Sequence, residues 1–204
     1  MSMKKYFKIM IAAALMMISA SAHAQMSVGV GYLNTNLLEK VGSVSNGENF
    51  NGVYVEADYN FNLYNDFIGF VPGIRYNFGS TNIDGVKWSE QYIDIPLMFD
   101  LGYDFSDSFR LFAFTGPTFS FGISSKMKYS DTTINMYKFA NEYFDGAANY
   151  GRFDIMFGYG VGVDLLGCIR IKAAMDHGLL NRIKNDMDSV THRNLIRFGV
   201  AYLF

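Results

Sequence analysis

The chain has 204 residues, with 17 basic and 19 acidic side chains, one cysteine and 17% aromatic residues. That length suits one domain, and no Pro-rich, Ser-rich or charge-run linker divides it. The charge balance supplies no basic face for nucleic acid, and the single Cys168 excludes an internal disulfide.

Lys4, Lys5 and Lys8 precede an apolar run from Ile9 to Ile18, which ends in Ala22-His23-Ala24. This is the pattern of a cleavable secretory signal peptide over residues 1–24, with Gln25 as the first mature residue. The run is too short to cross a bilayer as a helix. A lipid anchor would need Cys where Gln25 stands. Loss of three lysines and no acids leaves 14 basic against 19 acidic residues, a mature domain over residues 25–204 near −5.

From Met26 onward the dominant pattern has period two, the mark of strands whose alternate side chains meet different surroundings. Met26 to Asn34 is a first, short strand. In Gly52 to Leu63, Val53, Val55, Ala57, Tyr59 and Phe61 alternate with Tyr54, Glu56, Asp58 and Asn60. Ile68 to Phe78 sets Phe70, Ile74 and Tyr76 against Gly69, Gly73, Arg75 and Asn77. Gln91 to Tyr103 sets Ile93, Ile95, Leu97 and Phe99 against Asp94, Pro96, Met98 and Asp100. Phe109 to Gly122 is apolar at both parities, so its facing is open. Arg152 to Leu165 alternates most clearly, Ile169 to His177 less so, and Ile196 to Phe204 closes the chain with Phe198, Val200 and Tyr202 against Arg197, Gly199 and Ala201.

Eight strands result, joined by connections that alternate between long (35–51, 79–90, 123–151, 178–193) and short (64–67, 104–108, 166–168). Strict alternation suits an up-and-down antiparallel barrel with long loops on one side of a membrane and short turns on the other. A soluble barrel with an apolar interior would alternate too. Lipid outside is favoured because the polar parity carries glycines and sparse paired charges rather than many Lys and Glu. The apolar segments also have about the ten residues a tilted strand needs. Aromatic residues gather at the strand ends: Tyr64, Phe67, Tyr103, Phe105 and Phe109 at the short turns, and Tyr76, Phe78, Trp88, Tyr92, Phe121 and Tyr150 at the long loops. The expected fold is an all-β, eight-stranded transmembrane β-barrel of a Gram-negative outer membrane, which leaves no strand edge in hydrocarbon. The ending at Tyr202 and Phe204 has the form of a signal for the barrel-assembly machinery.

Four short motifs carry a resemblance. Tyr92-Ile93-Asp94-Ile95-Pro96-Leu97, Gly116-Pro117, Arg152-Phe153-Asp154 and His177-Gly178-Leu179-Leu180-Asn181 resemble the outer-membrane β-barrel domain family that includes PorT. The likeness spans most of the mature chain. It implies a barrel related in architecture to OmpA and OmpX, usually without known enzymatic activity. PorT itself is associated with type IX secretion, but the shared motifs belong to the whole family.

The polar parity supplies Glu56, Asp58, Asp94, Asp100, Asp154, Asp164 and Asp176 with Arg75, Arg110, Arg170, Lys172 and Arg197. An eight-stranded barrel is just wide enough for side chains to fill it, and buried charges need partners, so these twelve are expected to form an internal ion-pair network. A proton or small-ion path along them is the alternative. Asp186, Asp188, Ser189 and His192 lie close in sequence, but adjacency is not a catalytic triad. His177 and His192 have no Cys partner for zinc. No catalytic, metal or cofactor site is expected. In the longest loop, Ile134, Met136, Tyr137, Phe139, Ala140, Tyr143 and Phe144 could form a short helix capped by Asp131 or Thr132. It would pack as a lid over the mouth, rest at the lipid interface, or serve as a partner-docking surface built on Met136, Tyr137, Phe139, Tyr143 and Phe144. Expected partners are outer-membrane lipid, the assembly machinery and an envelope or secretion component. Function is expected to be noncatalytic, in envelope structure or loop-mediated binding. The alternatives are an accessory secretion subunit and a barrel-embedded hydrolase.

Overall fold

A computed structural model describes residues 24–41, 44–64, 67–138, 150–182 and 189–204. The expected leader lies almost wholly outside them. Nine strands follow in chain order: β1 Ala24–Val41, β2 Val44–Tyr64, β3 Ile68–Ile83, β4 Val86–Ser106, β5 Phe109–Tyr129, β6 Thr132–Asn135, β7 Phe153–Leu165, β8 Ile169–Gly178 and β9 Ser189–Leu203. Eight form a ring. β1 to β5 pair in sequence, β5 pairs β7, β7 pairs β8, β8 pairs β9, and β9 returns to β1, every pairing antiparallel. β6 pairs only with the protruding end of β5.

Alternation dictates the wall. Val28, Val30 and Tyr32 on β1, Val53 and Val55 on β2, and Phe157, Tyr159 and Val161 on β7 are exposed on the outer face. Their alternates Leu33, Tyr54, Glu56 and Met156 are buried inside. An exposed apolar surface continuous around a closed ring needs a hydrocarbon surrounding. The facing of β5, open from its sequence, is settled by its neighbours. Phe112 and Ser120 are buried inside, while Leu111 and Phe121 face out. The interior accepts these rings because Gly160 and Gly162 on β7 sit beneath them: a Cβ on Gly160 would collide with Phe114 and one on Gly162 with Phe112. Tyr54 lies in the same way over Gly31 and Gly199.

Two expected long loops are instead strands. β1 and β2 stay paired from Ala24↔Phe61 to Val41↔Val44, and β3 and β4 stay paired up to Ile83↔Val86. The latter hairpin closes through Asp84-Gly85, both at positive φ (49° and 83°), the turn geometry that matches strand twist. β2, β4 and β5 each run 21 residues, about twice what a tilted crossing needs. The ring therefore carries long hairpins at one end and short turns at the other. At the short-turn end Tyr103, Phe105 and Phe109 are exposed and in ring contact (4.9 and 5.5 Å), with Tyr64, Phe67 and Phe204 exposed as well.

Pro72, Pro96 and Pro117 lie in β3, β4 and β5, where proline supplies no N–H to a ladder. The ladders make room for them. β3–β4 pairing jumps from Pro72↔Leu97 to Arg75↔Asp94, and β4–β5 pairing from Pro96↔Thr118 to Phe99↔Thr115.

Candidate functional site

The interior is a stack of charged layers, each built by residues whose parity aims them inward. At the short-turn end Arg110 donates to Asp100 Oδ2 (3.1 and 3.2 Å) and approaches Asp164 (3.5 Å) and Asp104 (3.7 Å). Arg170 grips Asp164 with two bonds of 2.7 Å, and both guanidiniums lie against the Phe112 ring. At mid-height Lys172 Nζ sits 2.6 Å from Glu56 and 2.7 Å from Asp58. Arg75 takes the other Glu56 oxygen at 3.2 Å, and Arg197 pairs with Asp176. Towards the hairpin end Asn77 donates to Asp94 (2.8 Å). Arg193 donates to Ser120 (2.6 Å), lies 4.0 Å from Asp94 and stacks 4.0 Å over the Tyr92 ring.

Above Arg193 the chemistry changes to hydroxyls and rings. Glu90, fully buried, accepts from Tyr92, from Ser125 (2.9 Å) and from Tyr150 (2.5 Å). Burial, and after it the Glu90 charge, push the Tyr150 phenol well above its ordinary value, so it remains a donor. Arg182, also fully buried, lies over the Tyr150 ring (4.8 Å), and Trp88 and Tyr137 pack against Tyr150 as well. Trp88 in turn meets Phe50 edge-on at 5.0 Å. Between the mid-height charges a cavity of about 30 Å³ remains, bounded by Tyr54, Glu56, Arg75, Phe114, Lys172 and Arg197 among others. That exceeds the roughly 10–15 Å³ of such space in which one water fits.

The twelve expected interior residues all lie on the inward face. Eleven enter ion pairs. The twelfth, Asp154, instead accepts from the Leu180 backbone N–H at 3.2 Å. The sequence reading missed Glu90, Arg182 and Arg193. Glu90 stands four residues before Asp94 and Arg193 four before Arg197, so extending period two past the assigned strand ends finds both. Arg182 sits in an irregular segment and leaves no periodic trace. Trp88, Tyr92 and Tyr150, expected in the lipid-level aromatic belt, are instead turned inside: Trp88 donates to inward Ser125, and Tyr92 and Tyr150 are 1% and 7% exposed. Tyr92 shares the parity of Asp94, which turns it away from lipid.

The longest connection also differs from expectation. Ile134 belongs to β6, Asp131 to the preceding turn and Thr132 to the start of β6; the helical turn runs from Met136 to Lys138 as far as it is described. Its cap is Asn135, whose Oδ1 accepts from Tyr137 N–H (3.0 Å). Tyr137 is buried beneath Arg152 (4.5 Å), which takes it out of a docking face, and Met136 is half-buried. Phe139, Ala140, Tyr143 and Phe144 lie outside the described residues, as do Asp186 and Asp188. His192 stands on the outer face of β9 opposite Leu38, and among the described residues no His, Cys, Asp and Glu group could hold a metal. Cys168 is half-buried in the Leu166–Cys168 turn.

The four short motifs meet in pairs. Pro96 and Leu97 lie beside Gly116-Pro117 across β4–β5, where a Cβ on Gly116 would strike the Leu97 carbonyl. Asp154 ties down the chain after β8: Leu180 donates to its carboxylate, Leu179 to the Ile155 carbonyl (2.8 Å), and Asn181 accepts from Thr191 N–H (2.9 Å). These contacts fold 178–182 over the mouth and deliver Arg182 to its buried place.

A closed antiparallel ring with an apolar outer band and an ion-paired interior is a membrane-spanning β-barrel of the outer-membrane type. The chain belongs to the outer membrane protein beta-barrel domain family, which matches residues 10–204. Among solved structures it is similar to Ail, the attachment invasion locus protein of Yersinia pestis, crystallised with the heparin analogue sucrose octasulfate. Identity is 12%, the match covers 89% of this chain and 99% of that one, and the TM-score is 0.50. Neisserial surface protein A is similar at 9% identity, 86% and 96% coverage and TM-score 0.50. The outer membrane enzyme PagL matches at 8% identity, 88% and 98% coverage and TM-score 0.44. No curated protein matches the chain.

Proposed function

We propose that this outer-membrane protein is a noncatalytic, non-conducting barrel that acts through the hairpins it projects from the cell surface. The observation that carries this reading is the filled interior: charged layers and a ring-and-hydroxyl cap occupy the lumen from Arg110 to Arg182. A solute path would require several buried ion pairs to break together, each at a cost of about 3–5 kcal/mol. Among the described residues, most of the material beyond the membrane lies in paired strands, which present fixed surfaces. Under the usual orientation of such barrels the short turns are periplasmic and the hairpins extracellular.

Residues 1–24 act as the cleaved leader in this reading, and outward-facing Tyr202 and Phe204, in ring contact at 4.9 Å, serve the assembly machinery. The test is single-channel recording of the heat-modifiable, folded protein in planar bilayers, with N-terminal sequencing of membrane-extracted material. A silent bilayer and a start at Gln25 are expected. Reproducible conductance steps would refute the closed lumen, and an uncleaved N-terminus would refute the leader.

A further inference from the structure

On the outer wall of β4 and β5, the apolar row Ile93↔Phe121 is followed towards the hairpin end by Gln91↔Ser124, then Ser89↔Lys126, then Lys87↔Lys128. The register shift between Gln91 and Tyr92 keeps both β5 lysines outward while Ser125 turns in to Glu90. All three lysines are exposed, and among the described residues none forms an ion pair. Of the acids nearest in the chain, Glu90 is turned inside, and Asp84 and Asp131 sit in the two hairpin turns beyond the lysines. Lys87 and Lys128 are direct cross-strand partners, and like charges so placed repel.

We propose that this lysine patch binds the phosphate groups of outer-leaflet lipid headgroups. Each row adds about 5 Å of height on a tilted strand, which sets Lys126 about 10 Å and Lys87 and Lys128 about 15 Å above the apolar row. Long lysine stems reach down from there while the ammonium stays with polar partners, which brings the charges to the headgroup layer just above the hydrocarbon. The patch is continuous with the lipid-facing wall, so the anion it meets is the one attached to the surrounding lipid. A bound phosphate bridging Lys87 and Lys128 also turns their repulsion into a shared attraction.

The test titrates the full folded chain, held in phosphocholine micelles, with bisphosphorylated lipid A, and with dephosphorylated lipid A as the neutral counterpart. Adducts are counted by native mass spectrometry. A lysine near an anionic surface contributes about a fivefold factor, so K87Q/K126Q/K128Q should weaken binding by on the order of a hundredfold. The arginine triple variant should retain it, and K40Q, which removes an exposed lysine of the same end on β1, away from β4 and β5, should leave it unchanged. Heat-modifiable mobility checks that every variant is folded. Equal binding of the dephosphorylated lipid, an unaltered affinity in the triple variant, or an equal loss in K40Q would each overturn the proposal. Full displacement of the lipid by inorganic phosphate would assign the patch to a free anion and overturn it as a lipid site.

Discussion

Replacing Lys172 with methionine removes one ammonium from between two carboxylates. Lys172 lies 2.6 Å from Glu56 and 2.7 Å from Asp58, and the three side chains are 12%, 2% and 5% exposed. Glu56 keeps Arg75 at 3.2 Å, but Asp58 loses its one ion pair among the described residues. Each contact represents about 6 kcal/mol of Coulomb attraction at the effective dielectric that suits protein interiors, much of it offset by desolvation. Stranding a buried carboxylate costs about 3–5 kcal/mol, and Lys172→Met should destabilise the barrel by that amount. The companion D58N/K172M carries no stranded charge and should recover to within about 1–2 kcal/mol of the parent. The assay is reversible urea unfolding in lipid vesicles, followed by gel mobility and by Trp88, the only tryptophan. A loss below about 1 kcal/mol for K172M, or a double variant no more stable than K172M, would refute the view that direct ion pairing holds the interior.

Val161→Arg, on the outer face midway along β7, should cost about 2–4 kcal/mol, whereas Asn34→Lys, at the hairpin-side edge of the apolar band on β1, should cost about 1 kcal/mol or less; equal costs in the same unfolding assay would contradict a lipid-facing wall. Asp154→Ala takes the acceptor from Leu180 N–H, at about 1–3 kcal/mol. Hydrogen exchange should then accelerate at residues 179–182 before it does in β8, and uniform acceleration would argue against a locally tied plug. Gly199→Val drives side-chain atoms into the Tyr54 hydroxyl and should cost about 1–3 kcal/mol through overpacking. Pairing it with Tyr54→Ala should restore part of that loss, and an additive double variant would show that the ring does not rest on that glycine.

Most of the ring is legible in the chain because period two maps each residue to one of two faces, and a wall between lipid and a packed interior punishes any residue on the wrong one. Glu56, Arg75, Asp94, Asp154 and Arg197 could therefore be named as inward once the glycine-rich, Lys-poor polar parity and the aromatic strand ends had placed lipid outside. Strand ends were less legible. Polar residues suit both a loop and a strand that has left the membrane, so 35–51 and 79–90 read as loops although they pair residue by residue into hairpins.

Sequence by itself determined the eight strands of the ring, the facing of all of them but β5, and most of the charges that share the interior, since these follow from local periodicity and from the composition of each face. Tertiary structure alone decided which charges pair, that Glu90, Tyr92 and Tyr150 cap them, and that Arg182 is carried inward by contacts of Asp154 and Asn181 with distant backbone. It also decided that Lys87 faces Lys128, because cross-strand register depends on a bulge and on turn geometry and leaves no mark in the spacing of either strand.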